Sequence, residues 1–382
     1  MDIQNFDDIR PFRDDELHAH LEELSRQPEM IMLLKRLFPK RTRQNIIETL
    51  NSFQSIDEFQ KKLIRSIVLK FSSTTTTGIS MSGAEKVAGS PNRLFISNHR
   101  DILLDPSFLD VLLLENGRDT CEIAIGDNLF VAPWIETVVR INKSFIVKRN
   151  VPVRQMLEVS AKLSAYIRYV ITEKQTSVWI AQREGRAKDS NDRTQESLIK
   201  MLNISGKSDM VENMKELNIT PITISYEYDP CDYLKAKEFQ QKRDNPEYKK
   251  TPEDDRLNML TGLLGWKGDV HYEIDNMDDE IASIESVGRK NDQITALAQL
   301  IDKHIHKNYR IHLNNIIALD LLRKENAFVN KYSEIEKQKF EKYLHKQLDK
   351  IDLPNKDIPF LRGKILEMYA NPFINYLKAN DL

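Results

Sequence analysis

Residues 93–116 read RLFISNHRDILLDPSFLDVLLLEN. The apolar run from Arg93 to Ser97 is short enough for a buried strand. A leucine-rich helix is expected over 106–116, stopped by Asn116-Gly117. Strand followed by helix is the opening of a βαβ unit. Between the two stands Asn98-His99-Arg100, at the carboxyl end of the strand, where open α/β sheets place their ligand crevice.

The alternation continues outward from this stretch. Further short apolar runs mark strands at Glu122–Gly126, Lys143–Val147, Ser177–Ala181, Ile219–Tyr226 and Asp269–Ile274, with helices expected over 130–138, 152–173, 194–203 and 207–217. The fold class is therefore α/β, a mixed, largely parallel central sheet flanked by helices, with helical additions at both ends of the chain.

Residues 14–70 carry apolar side chains at helical spacing and predict three or four short amphipathic helices. The tract FSSTTTTGISMSG, 71–83, reads either as a boundary or as an edge strand, since β-branched threonines suit strands. Three regions are expected: an N-terminal helical region over 1–85, an α/β domain over 86–310 and a C-terminal helical region over 311–382. The charged, proline-containing segment 230–255 reads as an excursion from the core, and no internal repeat is visible.

Composition limits what the chain can do. With 56 Lys+Arg against 58 Asp+Glu there is no global basic field for nucleic acid, so electrostatic recognition has to be local. Two cysteines, Cys121 and Cys231, exclude a disulfide framework and a cysteine zinc site, and suit a reducing cytoplasm. The acidic N-terminus has no apolar core of a signal peptide, and no uncharged stretch approaches the ~20 residues that span a bilayer. Contact with lipid is then expected at the membrane surface, and LTGLLGWK at 260–267 is the candidate apolar surface loop. There is no P-loop and no GxGxxG, and His304, His306 and His312 are spaced so as not to share a metal.

A histidine delivered at a strand end, with a carboxylate a turn or so later, can take a proton from a hydroxyl. The carboxylate fixes the imidazole tautomer and favours the imidazolium that forms. Two carboxylates stand within reach of His99 in sequence, Asp101 and Asp105.

Asn98-His99-Arg100 through Asp105-Pro106 resembles the first motif of the glycerolphosphate and lysophosphatidate (1-acylglycerol-3-phosphate) O-acyltransferase family. Three further patches follow in the family's order. RINKSFIVKR at 140–149 is similar to the second motif, a strand ending in the basic residue that holds the acceptor's phosphate, here Arg149. VWIAQREGR at 178–186 is similar to the third, in which Glu184 and Gly185 match and Arg186 and Arg183 are the nearby cations. ITPITISY at 219–226 resembles the last, a strand packed beneath the site.

The sequence also departs from the pattern. Five residues, not four, separate His99 from Asp105; aligned on Asp-Pro, Asp105 is the expected partner, with Asp101 as its rival. Arg183 replaces a proline, and Arg186 follows Gly185 directly.

The resemblance implies an acyltransferase of phospholipid synthesis, with His99 as general base and Asp105 assisting. An acyl-CoA or acyl-carrier-protein thioester would be the co-substrate, and neither a metal nor another cofactor is implied. Lysophosphatidate is the expected acceptor, with glycerol 3-phosphate or an aminoacyl lysolipid as alternatives; a non-catalytic lipid-binding module of the same fold is the further alternative. Arg149, Arg183, Glu184, Gly185 and Arg186 would contact the substrate. The protein is expected in the cytoplasm, peripherally bound to the inner face of the membrane.

Overall fold

The computed structural model describes residues 3–89, 92–130, 132–149 and 151–382. Seven strands form one sheet: β1 (Thr76–Ser82), β2 (Leu94–Ser97), β3 (Glu122–Gly126), β4 (Ser144–Val147), β5 (Val178–Ala181), β6 (Ile219–Tyr226) and β7 (Gly268–Ile274). Their spatial order is β1-β7-β6-β2-β5-β3-β4. Only β6 and β7 pair antiparallel, so the sheet is mixed and largely parallel. The six strands expected from apolar runs form within one residue of their expected bounds. The seventh, β1, comes from the Ser/Thr/Gly tract and pairs as the edge strand with β7.

Side chains of β2 alternate between the two faces of the sheet. Leu94 and Ile96 enter a core shared with helices Val153–Thr172, Glu196–Asn203 and Lys290–Lys307, while Phe95 faces a second core built on helix Leu104–Glu115. Burial on both faces explains why β2 reads as an uninterrupted apolar run. Beyond β3, a helix forms over Pro133–Ile141, with proline in its first turn; residue 131 of the expected 130–138 helix lies outside the described residues.

Helices Asp14–Ser25, Pro28–Leu37, Arg43–Asn51 and Ile56–Phe59 build a separate apolar cluster before β1. The charged 230–255 segment supplies helix Asp232–Asp244, whose Ala236 joins Leu319, Leu361 and Phe373 in a core with the C-terminal helices. Helix Pro252–Leu264 follows and returns toward the carboxyl end of β2. No helix among the described residues is long and apolar enough to cross a membrane.

Candidate active site

His99 is set two residues beyond β2 and is fixed by both its neighbours. Asn98 is fully buried: its Oδ1 accepts from the Ile224 amide at 2.7 Å and its Nδ2 donates to the Ile224 carbonyl at 2.9 Å. Arg100 donates both terminal nitrogens to Asp192, at 3.1 and 2.6 Å, and Tyr309 donates to the same carboxylate. These contacts clamp the backbone on either side of the histidine to β6 and to the loop after β5.

The His99 ring lies edge-on to Trp179, with centroids 5.7 Å apart. Its Nδ1 is 2.7 Å from Oδ2 of Asp105. The same oxygen accepts from the backbone amides of Arg100 at 2.6 Å and Asp101 at 3.0 Å. Asp105 is fully buried, and three donors converge on one of its oxygens. With Nδ1 committed to the carboxylate, Nε2 is the nitrogen that can act as base.

Asp101 does a different job. Its Oδ1 accepts from the amides of Leu103 and Leu104 at 3.0 and 2.8 Å, capping the helix that begins at Leu104. Its Oδ2 faces Gly262, where a Cβ would come within 2.1 Å. Burial, then the charge of Asp105, pushes the Asp101 carboxyl above its usual range. A turn over 102–103 precedes the helix, and this turn takes up the extra residue between His99 and Asp105.

The basic residues divide into two groups. Arg149 follows β4, its Nη1 lies 3.1 Å from Glu184 Oε1, and its backbone amide donates to Asp127. A Cβ on Gly126 would stand 3.0 Å from the Arg149 Nε, so the side chain lies close across that glycine. Glu184 is well exposed, and Gly185 takes a left-handed φ of 65° that suits glycine. Arg186 turns the other way, toward helix Pro252–Leu264, where Nη2 donates to Asn258 at 3.1 Å. The Nη1 of Arg186 and the Nε of Arg183 are buried and find no partner among the described residues.

Farther along the loop after β5, Lys188 pairs with Glu238 and Asp192 is consumed by Arg100. Lys267, the last residue of the expected 260–267 surface loop, is instead fully buried, and sequence reading gave it no role. Burial pushes its pKa down to about 8, against the opposing charges of Asp101, Cys231, Asp229 and Asp105. A lysine directly after Gly-Trp carries no pattern by which sequence alone could place it in this cluster.

Leu260, Leu264 and Trp266 are exposed by 42, 58 and 50%. The expected apolar surface loop is therefore the end of a helix and the turn after it. His304 bonds Asp275, His306 bonds the Asp192 carbonyl and His312 bonds Asp269. Among the described residues, no group of three or more His, Cys, Asp or Glu side chains is arranged to hold a metal ion.

Comparison with known proteins places this geometry in context. Residues 78–227 match the family model described as Acyltransferase. No curated protein matches the sequence. The crystal structure of the 1-acyl-sn-glycerophosphate (LPA) acyltransferase PlsC from Thermotoga maritima aligns with a TM-score of 0.34 at 11% identity, covering 76% of this chain and 96% of that one. The matched segment runs from within β1 to the end of β6 and contains His99, Asp105, Arg149 and Glu184, and over these residues the chain is similar to the acyltransferase family.

Proposed function

We propose that the enzyme moves a fatty acyl group from an acyl-CoA or acyl-carrier-protein thioester to the hydroxyl of lysophosphatidate. The observation that carries this reading is the 2.7 Å contact between His99 Nδ1 and an Asp105 oxygen that two backbone amides also hold. His99 Nε2 takes the hydroxyl proton, and the alkoxide oxygen attacks the thioester carbonyl carbon. The tetrahedral intermediate collapses with cleavage of the C–S bond, and the thiolate recovers the proton from His99 as it leaves. Asp105 holds the imidazole tautomer and balances the imidazolium charge.

Arg149, with Arg186 or Arg183, would hold the acceptor's phosphate, because guanidinium pairs phosphate bidentately and fixes the hydroxyl near the thioester. The unpartnered Nε of Arg183 supports an anionic ligand here, whereas Arg186 faces helix Pro252–Leu264. Glycerol 3-phosphate and an aminoacyl lysolipid are the other acceptors of this class. The exposed Leu257, Leu260, Leu264 and Trp266 support work at a membrane surface, with the protein peripheral to its cytoplasmic face.

The test is thiol release from acyl-CoA with a panel of acceptors, for wild type and His99→Ala. Lysophosphatidate-dependent release that the alanine variant abolishes is the expected outcome. Equal rates in both proteins would sink the reading.

A further inference from the structure

Tyr226 ends β6, two residues after the Ile224 that Asn98 grips, and it is buried beside Tyr272 and Phe108 in the core under helix Leu104–Glu115. Its hydroxyl meets no partner at full hydrogen-bond geometry among the described residues, with Asp105 and Tyr272 beside it. Oδ1 of Asp105 meets none either, and both atoms are buried. The packing brings the two together: Tyr272, which stands opposite Ile224 across the β6–β7 pair and shares a core with Tyr226, donates to the Asp105 backbone carbonyl at 2.9 Å, and after burial Asp105 is the largest influence holding the proton on the Tyr226 phenol. A phenol can donate and a carboxylate oxygen can only accept, so each atom supplies what the other lacks. Buried polar atoms without partners are uncommon in native proteins, and two orphans side by side point to a bond that forms in a working state.

We propose that Tyr226 is a positioning residue for the reaction, donating its hydroxyl to Oδ1 of Asp105 while His99 and two backbone amides occupy Oδ2. The carboxylate is then held from both ends as the imidazolium forms. The inference rests on the acyl-transfer reading of His99 and Asp105 and adds a residue that reading did not use.

The other titratable groups facing Asp105 are His99, Asp101, Tyr272 and Lys267. Tyr272 already donates to the Asp105 backbone carbonyl at 2.9 Å. Lys267 titrates at about 8, on the alkaline side, so the acid limb of the rate profile is the readout that isolates the carboxylate. Asp101 is silenced by measuring in the Asp101→Asn background.

The experiment compares kcat and kcat/KM against pH for that background with and without Tyr226→Phe, using acyl-CoA and lysophosphatidate. Without the donor, the carboxylate holds the imidazolium proton more tightly. The acid limb is then expected to move to higher pH, with kcat falling about tenfold, the order of one hydrogen bond to a charged group, and KM little changed. In an Asp105→Asn background Tyr226→Phe should add no further loss. An unmoved acid limb, a loss confined to KM, or losses that simply add would each overturn the proposal.

If the phenylalanine variant fails to fold, 3-fluorotyrosine at position 226, a more acidic donor, should move the limb to lower pH; no movement overturns the proposal. The His99 ring titration followed by NMR without substrate reads the same coupling. A protein that transfers no acyl group yet shows this coupling refutes the acyl-transfer reading alone.

Discussion

Asn98 and Ile224 are joined by two hydrogen bonds, one in each direction, between a side-chain amide and a backbone. The β2–β6 pairing ends at Ser97 and Ile222, and the Asn98 amide continues it where the main chain of β2 has turned away to present His99. Alanine at 98 would leave a buried N–H and C=O on Ile224 without partners, so Asn98→Ala is expected to cost about 2–4 kcal/mol of unfolding free energy. Aspartate should be worse than alanine, because its second oxygen would face the Ile224 carbonyl and the neighbouring Asp192 carboxylate, 3.5 Å from Nδ2. Urea unfolding of the three proteins checks the ranking.

The two carboxylates near His99 are separable by their partners. Asp105→Asn can keep one oxygen for the imidazole and the two amides but loses the negative charge that balances the imidazolium, and is expected to lower kcat about a thousandfold. Asp101→Asn keeps an oxygen for the Leu103 and Leu104 amides and should stay within about tenfold of wild type, since it loses no bond to His99. It should also be no less stable at neutral pH, because ionised Asp101 is opposed by burial and by Asp105. Steady-state rates and melting curves decide; a silent Asp105→Asn would reject the pairing.

Helix Pro252–Leu264 rests on the active-site turn through a missing side chain. A Cβ at Gly262 would meet the Asp101 carboxylate at 2.1 Å, and that carboxylate is buried and tied to a helix N-terminus. Gly262→Ala should therefore lift the helix or displace the cap, destabilising by about 1–3 kcal/mol, the range for overpacking. Serine at 101 is shorter and still caps, so Asp101→Ser should recover most of the loss when combined with Gly262→Ala. Failure of that rescue, read as Tm of the single and double variants, would show that the clash lies elsewhere.

The strands flanking the site were legible because each is buried on both faces and is made mostly of apolar and β-branched residues, as in β2 and β6. β1 was legible only as one of two readings: an edge strand half open to solvent needs no apolar run, and its Thr76-Thr77-Gly78 opening serves a linker equally well. His99 and Asp105 lie close enough in the chain for their pairing to be one of two readings, with Asp101 as the other. The partnership of Arg100 with Asp192, of Arg186 with Asn258, and the burial of Lys267 join residues far apart in the chain. Their charges look solvated until the loops are folded over them.

Asp110 offers a test of how burial shapes the pH response. It lies in the helix that carries Asp105, and its Oδ1 accepts from the Cys121 amide and thiol at 3.0 and 3.2 Å. Burial pushes its pKa up to about 6, although those two bonds favour the ionised form. In the unfolded chain an aspartate titrates near about 3.9, so between about pH 4 and 6 the folded protein binds more protons than the unfolded one. Stability drawn from this group is therefore lost as pH rises through that window, and is flat above it. Asparagine keeps the acceptor for Cys121 and never ionises. The advantage of Asp110→Asn over wild type should grow from about pH 4 to about pH 6 and level off at about 3 kcal/mol, measured by urea unfolding across that range. A difference that stays constant with pH would mean that Asp110 is not paying a burial penalty as a carboxylate.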